Sequence, residues 1–187
     1  MNIPPKWDEL YALAESQGGY FLGWQTVELG FIPQELSEAH RRGGQLQRIQ
    51  RGVYRLAHFP AGENEDLAVL WMWSQMAGIF SHETALALHE GKKELFLPIH
   101  LTVPSWWAKR RLTIPTTVLL HYSDVPPDDQ TKIGYLPVTT MPRALADCRA
   151  HLAYTTFKSA RSRVMKQAKK PKKKGIVKLF FQGKGST

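Results

Sequence analysis

The sequence predicts an α+β fold, and three observations carry that prediction. Two short helix patterns meet at a glycine turn near the start of the chain. A basic hairpin follows them directly. Beyond residue 60, helical runs alternate with short β-branched runs, the pattern of a small mixed sheet with helices packed on it.

Trp7 to Ser16 reads as the first helix, with Trp7, Leu10, Tyr11, Leu13 and Ala14 on its apolar face. Gln17-Gly18-Gly19 ends it, and Tyr20-Phe21 starts a short strand or leads into the second helix. Gly23 to Leu29 is a turn and a half of helix, with Trp24 and Val27 at helical spacing. Gly30 stops it, because glycine takes the left-handed conformation that a tight helix end needs. Pro33 stands where the next helix begins, a position that wants no backbone donor. That helix runs through Gln34 to Arg42 and ends at Gly43-Gly44, with Ile32, Leu36 and Ala39 facing inward. Leu46 to Ile49 and Val53 to Leu56 form a hairpin around Gln50-Arg51-Gly52. Two short helices at a glycine turn followed by a basic hairpin are the pattern of a winged helix-turn-helix.

His58 to Gly62 reads as a linker. Asn64 caps a helix whose run from Leu67 to Met76 is apolar almost all round, so it is expected to be buried on more than one side. Ser81 caps a further helix to Glu90, closed by Gly91. His100 to Val103, Val118 to Tyr122 and Leu136 to Thr139 read as strands. One helix is expected over Arg143 to Ala150 and a last one over Tyr154 to Lys170, with Ala153, Phe157, Ala160, Val164 and Ala168 as its apolar stripe. The division is therefore residues 1–60, 61–170 and a Lys-rich tail over 171–187 with the composition of a disordered segment.

Charge is unevenly placed. The net charge is +9, but the chain from Cys148 onward holds 12 Lys plus Arg and no acid. Residues 1–147 hold 13 basic against 16 acidic groups, a net of −3. A high overall pI is thus no argument about the helices and hairpin, where Glu28, Glu35 and Glu38 dilute the cations. Cys148 is the sole cysteine, which excludes an internal disulfide and a thiolate metal cluster. No apolar run approaches the roughly 20 residues of a membrane span, and the N-terminus shows no secretory pattern. The expectation is a cytoplasmic protein without a membrane partner.

The residues expected to carry function are those of a double-stranded DNA reader. Gln34, Ser37, Glu38 and Arg41 share the outer face of the second helix of the pair. Gln reads adenine and Arg reads guanine bidentately. Arg42, Arg48, Arg51 and Arg55 add a cationic edge with no acid between Arg41 and Arg55. Such an edge suits phosphates. The alternative is a pair of core helices and a hairpin that bind nothing.

Other chemistry reads weaker. His82 and His89 are two turns apart, about 10 Å along one helix, too far to share a metal, and HETALALH lacks the i, i+4 histidine pair of a zinc helix. His100 and His121 lie on separate strands. The expectation is no metal and no cofactor, with His82 at a capped helix start, bonded to a strand carbonyl. Asp147 and Cys148 beside Arg143 have no positioned base, so no nucleophile is expected. Asp128-Asp129 after two prolines reads as a turn. Trp106-Trp107 beside Lys109, Arg110 and Arg111 is a stacking and cationic loop, or a plain connection with one buried indole.

Several separated motifs in order, RGVYRL, FSHETALALH, IHLTVP and LPVTTMPRALAD after the helix pair, resemble the AbiEi-type antitoxins of type IV toxin–antitoxin and abortive-infection operons. The match runs from about Tyr11 to about Asp147. The resemblance implies a non-enzymatic autorepressor whose second part opposes a nucleotidyltransferase-like toxin without forming a stable complex. It also implies an exposed face of His82, Glu83, Arg143 and Asp147 for that role. This chain departs from longer members in its shorter C-terminal part and Lys-rich tail, and nothing after Asp147 supplies the carboxylates of an appended nuclease. Two other classes stand beside this reading. One is a non-catalytic toxin- or RNA-interaction module. The other is a metal-dependent hydrolase or nuclease using the histidine face, which metal dependence lost at His82 would reveal.

Overall fold

A computed structural model of the chain describes residues 6–41, 44–60, 62, 64–92 and 95–168. Arg42 and the tail over 171–187 lie outside the described residues. The fold is mixed α+β, with six helices and two sheets among the described residues. No described helix is long and apolar enough to cross a membrane. The chain divides within its last helix into two compact units, Met1–Arg149 and Ala150–Thr187, each taken by itself.

The first unit opens with α1 (Trp7–Glu15), β1 (Tyr20–Leu22), α2 (Gly23–Glu28), α3 (Pro33–Arg41), β2 (Leu46–Gln50) and β3 (Val53–Leu56). β3 is the central strand of an antiparallel sheet in the order β1-β3-β2. The register pairs Tyr20 with Arg55 and Leu46 with Leu56, and it shifts between Arg48 and Gln50. Leu10, Ala14, Phe21, Phe31, Leu36, Leu46 and Leu56 form one buried cluster, so helices and sheet share a core. Gly30 has φ of 81°, the left-handed turn expected between α2 and α3.

The inner faces differ from simple periodicity. In α2 the buried residues are Gln25 and Thr26, while Trp24 and Val27 are exposed. The polar groups go inside because each has a partner. The Gln25 Oε1 accepts from the Leu22 N–H at 2.7 Å, and the Thr26 hydroxyl donates to the Gly23 carbonyl at 2.7 Å. Ile32 was expected inside and is exposed. It precedes the helix, and its N–H donates to Glu35 Oε2 at 2.9 Å, so it follows the cap rather than the helical period. Tyr11 of α1 is likewise exposed.

The chain continues with α4 (Glu65–Trp73), β4 (Ile79–Phe80), α5 (His82–His89), β5 (Ile99–Val103), β6 (Val118–Tyr122), β7 (Gln130–Ile133), β8 (Leu136–Thr139) and α6 (Met141–Ala168). The second sheet has the order β6-β5-β4-β8-β7. β5 and β6 are parallel, as are β4 and β8, while β4–β5 and β7–β8 are antiparallel. Its core joins Leu67, Met72, Phe80, Leu101 and Val138, and it also takes in Tyr20, Leu22 and Val53 of the first sheet. The two parts thus share a core within this unit.

Three further differences have physical causes. α4 stops at Trp73 rather than Met76, because Gln75 and Met76 take positive φ of 55° and 62°. Asn64 and Ser81 stand at N-cap positions, but neither side chain caps its helix. The two helices expected after Met141 are one continuous helix, since His151-Leu152-Ala153 contains no breaker and helix propagates cheaply once nucleated. In the second unit, the expected stripe residues Ala153 and Phe157 are exposed. The side chains of Ala160, Val164 and Ala168 lie outside the described residues.

Candidate functional site

The first set of expected site residues lies on α3 and the β2–β3 hairpin. Leu36 is buried and orients α3 against the sheet. Gln34, Ser37, Glu38 and Arg41 are all exposed on its outer side. The Ser37 hydroxyl donates to the Pro33 carbonyl at 2.9 Å, and Arg41 Nε donates to the Ser37 carbonyl at 3.3 Å, so both lie back along the helix. His40 Nδ1 lies 3.3 Å from the Leu46 carbonyl and ties the helix end to the hairpin. Arg48 and Arg51 are exposed on that hairpin. Glu35 serves the helix start, which takes one acid off the outer face.

Arg55 behaves differently. Its guanidinium donates to Glu65 Oε1 at 2.7 Å and to the Phe59 carbonyl at 2.8 Å, and it sits over the Tyr20 ring at 5.7 Å. Its side chain is only 11% exposed. Strand alternation explains this: Val53 is buried, so Arg55, two residues on, points the same way. The guanidinium therefore joins the hairpin to α4 instead of presenting a cation to solvent.

The residues expected on the second part's face lie around the start of α5 and of α6. Glu83 is exposed, whereas His82, expected at an exposed edge, is buried. Arg143 donates to Asp147 Oδ1 at 2.9 Å and to Asp129 Oδ2 at 2.8 Å. These two carboxylates raise the Arg143 pKa above its ordinary value. Burial, then the Glu83 carboxylate and Asp147, push the Cys148 thiol up to about 11. The thiol is thus neutral at physiological pH. Glu83 on α5 lies against Cys148 on α6.

Strand register assembles a group that spacing kept apart. His100 and Thr102 alternate onto one face of β5, and Thr102 is paired with His121 on β6. The start of α5 covers this face. The Ser81 N–H donates to the His100 carbonyl at 3.1 Å, and the His100 N–H donates to Thr84 Oγ1 at 2.9 Å. His82, His100 and His121 each bring a ring nitrogen within 4.8 Å of the others. His100 Nδ1 is 3.0 Å from His121 Nε2, and the two rings are nearly parallel at 14°. His82 stacks on His121 with centroids 3.7 Å apart.

The flanking groups are ordered too. His100 Nε2 lies 3.3 Å from Glu83 Oε2. His82 Nδ1 lies 2.9 Å from Ser81 Oγ, which accepts from Thr102 Oγ1 at 2.7 Å. That engagement is why Ser81 does not cap α5. His82 itself has φ of 51°, a sparsely used conformation for a side-chain-bearing residue. The carbonyl partner expected for His82 belongs instead to His89, whose Nε2 meets the Thr139 carbonyl at 2.8 Å. The lone legible signal for the cluster was four histidines on adjoining elements; the register that unites three of them is tertiary.

Trp107 is buried and Trp106 exposed, with Arg110 over the Trp107 ring at 4.2 Å. Arg110 also reaches the exposed Trp106 ring at 5.5 Å. No protein-family model matches the chain, and no curated protein matches it.

Proposed function

We propose that the chain is a DNA-binding transcriptional regulator that reads its own operator in double-stranded DNA, and that the part beyond residue 60 acts against a nucleotidyltransferase-like toxin. One observation carries the first half. α3 turns a polar face of Gln34, Ser37, Glu38 and Arg41 to solvent, beside a hairpin exposing Arg48 and Arg51. Helix order, sheet order β1-β3-β2 and this exposed pair of elements suit a winged helix-turn-helix, with α3 entering the major groove and the hairpin meeting the backbone. Arg55 is left out of the phosphate set because of its pairing with Glu65.

In this reading Gln34 and Arg41 read bases, each worth about 1–3 kcal/mol of discrimination. Glu38 meets a cytosine amino group or turns to an arginine. The test is binding of the full chain to the DNA upstream of its own gene and to random DNA of equal length. Gln34→Ala and Arg41→Ala weaken the first far more than the second. Equal losses on both DNAs overturn the base-reading role. The second half is supported by Glu83, at the start of α5, lying against Cys148 on α6, the helix that also carries Arg143 and Asp147.

A further inference from the structure

We infer that His82, His100 and His121 form a binding site for a divalent transition metal, zinc foremost, with Glu83 and Ser81 as the groups that orient the ligands. The inference is independent of the DNA-binding reading. Imidazole nitrogen is a preferred donor for zinc, copper and nickel, and three of them with a fourth position for water make a complete tetrahedral set. Three donors come from three different elements, β5, β6 and the start of α5, and the fold holds them on one face of the sheet.

Geometry favours this occupant. Tetrahedral ligands at about 2.0–2.1 Å from zinc stand about 3.3 Å from one another. His100 Nδ1 and His121 Nε2 are already 3.0 Å apart, and all three donor atoms fall within 4.8 Å. A turn of the His82 ring off its stack on His121 closes the remaining gap. The surrounding bonds are those that metal-bound histidines make with their other nitrogen. His100 Nε2 faces the Glu83 carboxylate, and its Nδ1, 3.0 Å from His121 Nε2, is its donor in the proposed site. His82 Nδ1 faces Ser81 Oγ, and in the proposed site Nε2 is its donor. His82 and His100 are 7% and 6% exposed, so the ligands are fixed in a largely dry site, while the half-buried His121 stands at the entry. The left-handed backbone at His82 is a second sign that this side chain is aimed by the fold rather than by its helix.

The experiment uses the full chain, stripped with chelator and titrated with zinc and separately with cobalt(II). One equivalent of zinc binds and raises the melting temperature, as a ligand of the folded state must. Cobalt gives the intense visible absorption of a tetrahedral nitrogen site. His121→Ala, at the partly open edge, lowers zinc affinity at least about tenfold and removes the cobalt spectrum. Its metal-free melting temperature stays close to the parent's. His121→Gln gives the same result if the alanine variant folds poorly. His58→Ala, on the exposed loop after β3, binds as the parent does. Absence of stoichiometric zinc binding overturns the inference, as does parental affinity in both His121 variants.

Discussion

At the residue scale, two arginines four residues apart have opposite fates. Arg51 sits at the exposed hairpin tip, and Arg55 is enclosed by Glu65, the Phe59 carbonyl and the Tyr20 ring. Their alanine variants therefore separate binding from stability. Arg51→Ala reduces the slope of log affinity against log salt by about one phosphate's worth and weakens all sequences alike. Arg55→Ala leaves that slope unchanged and destabilises the fold by about 2 kcal/mol, the size of charge-assisted hydrogen bonds lost from a part-buried site. DNA titrations over a salt series and denaturant melts check the pair. An unchanged slope for Arg51→Ala would remove the hairpin tip from the interface.

At the scale of elements, the start of α6 is held by Arg143 between Asp129 and Asp147. An i, i+4 pair alone adds only a few tenths of a kcal/mol. Here the side chains of Arg143 and Asp147 are 21% and 18% exposed, and the second partner comes from the turn before β7. Asp147→Asn keeps the Asp129 bond, so it costs about 1 kcal/mol and lowers the melting temperature by about 2–4 °C. If Asp147 also belongs to the face that opposes a toxin, the variant binds operator normally and cells lose protection. Normal protection together with the small thermal shift assigns Asp147 a structural role alone.

At the scale of the molecule, the connection after β3 joins parts that share a core. Tyr20, Leu22 and Val53 pack in the same cluster as Leu67 and Ala68, and Arg55 pairs with Glu65 across it. A fragment of residues 1–60 exposes those three apolar side chains and takes from Arg55 its Glu65 partner. It is expected to melt at a lower temperature than a fragment of residues 1–149, which unfolds in one cooperative transition. Calorimetry of both fragments measures this. Equal stability of the short fragment would mean that the first three helices and their sheet stand without α4. Operator binding by 1–60 is then limited by folding, so toxin and operator activities are best divided by point variants.

Element existence was legible in the sequence because local chemistry dictates it. Gly30, Pro33 and the turn at Gln50-Arg51-Gly52 punctuate the chain whatever lies beyond, and α1, α3, the hairpin, β5, β6 and β8 stand where those signals and the apolar runs put them. The polar outer face of α3 was legible for the same reason, since one buried Leu36 sets the phase of its neighbours. β7 was not legible, because Gln130–Ile133 is a largely exposed edge strand without apolar alternation. Nor was the burial of Gln25 and Thr26, which rests on partners three or more residues away. Alternation from Val53 ties Arg55 to the inner face, but its partner Glu65 comes from α4, another part of the chain. The histidine group depended most on tertiary structure. Sequence spacing kept His82, His100 and His121 apart, and only the parallel register of β5 with β6, capped by the start of α5, brings their ring nitrogens together. Local propensity is written into neighbouring residues, whereas strand register is set by the packing of faces distant in sequence.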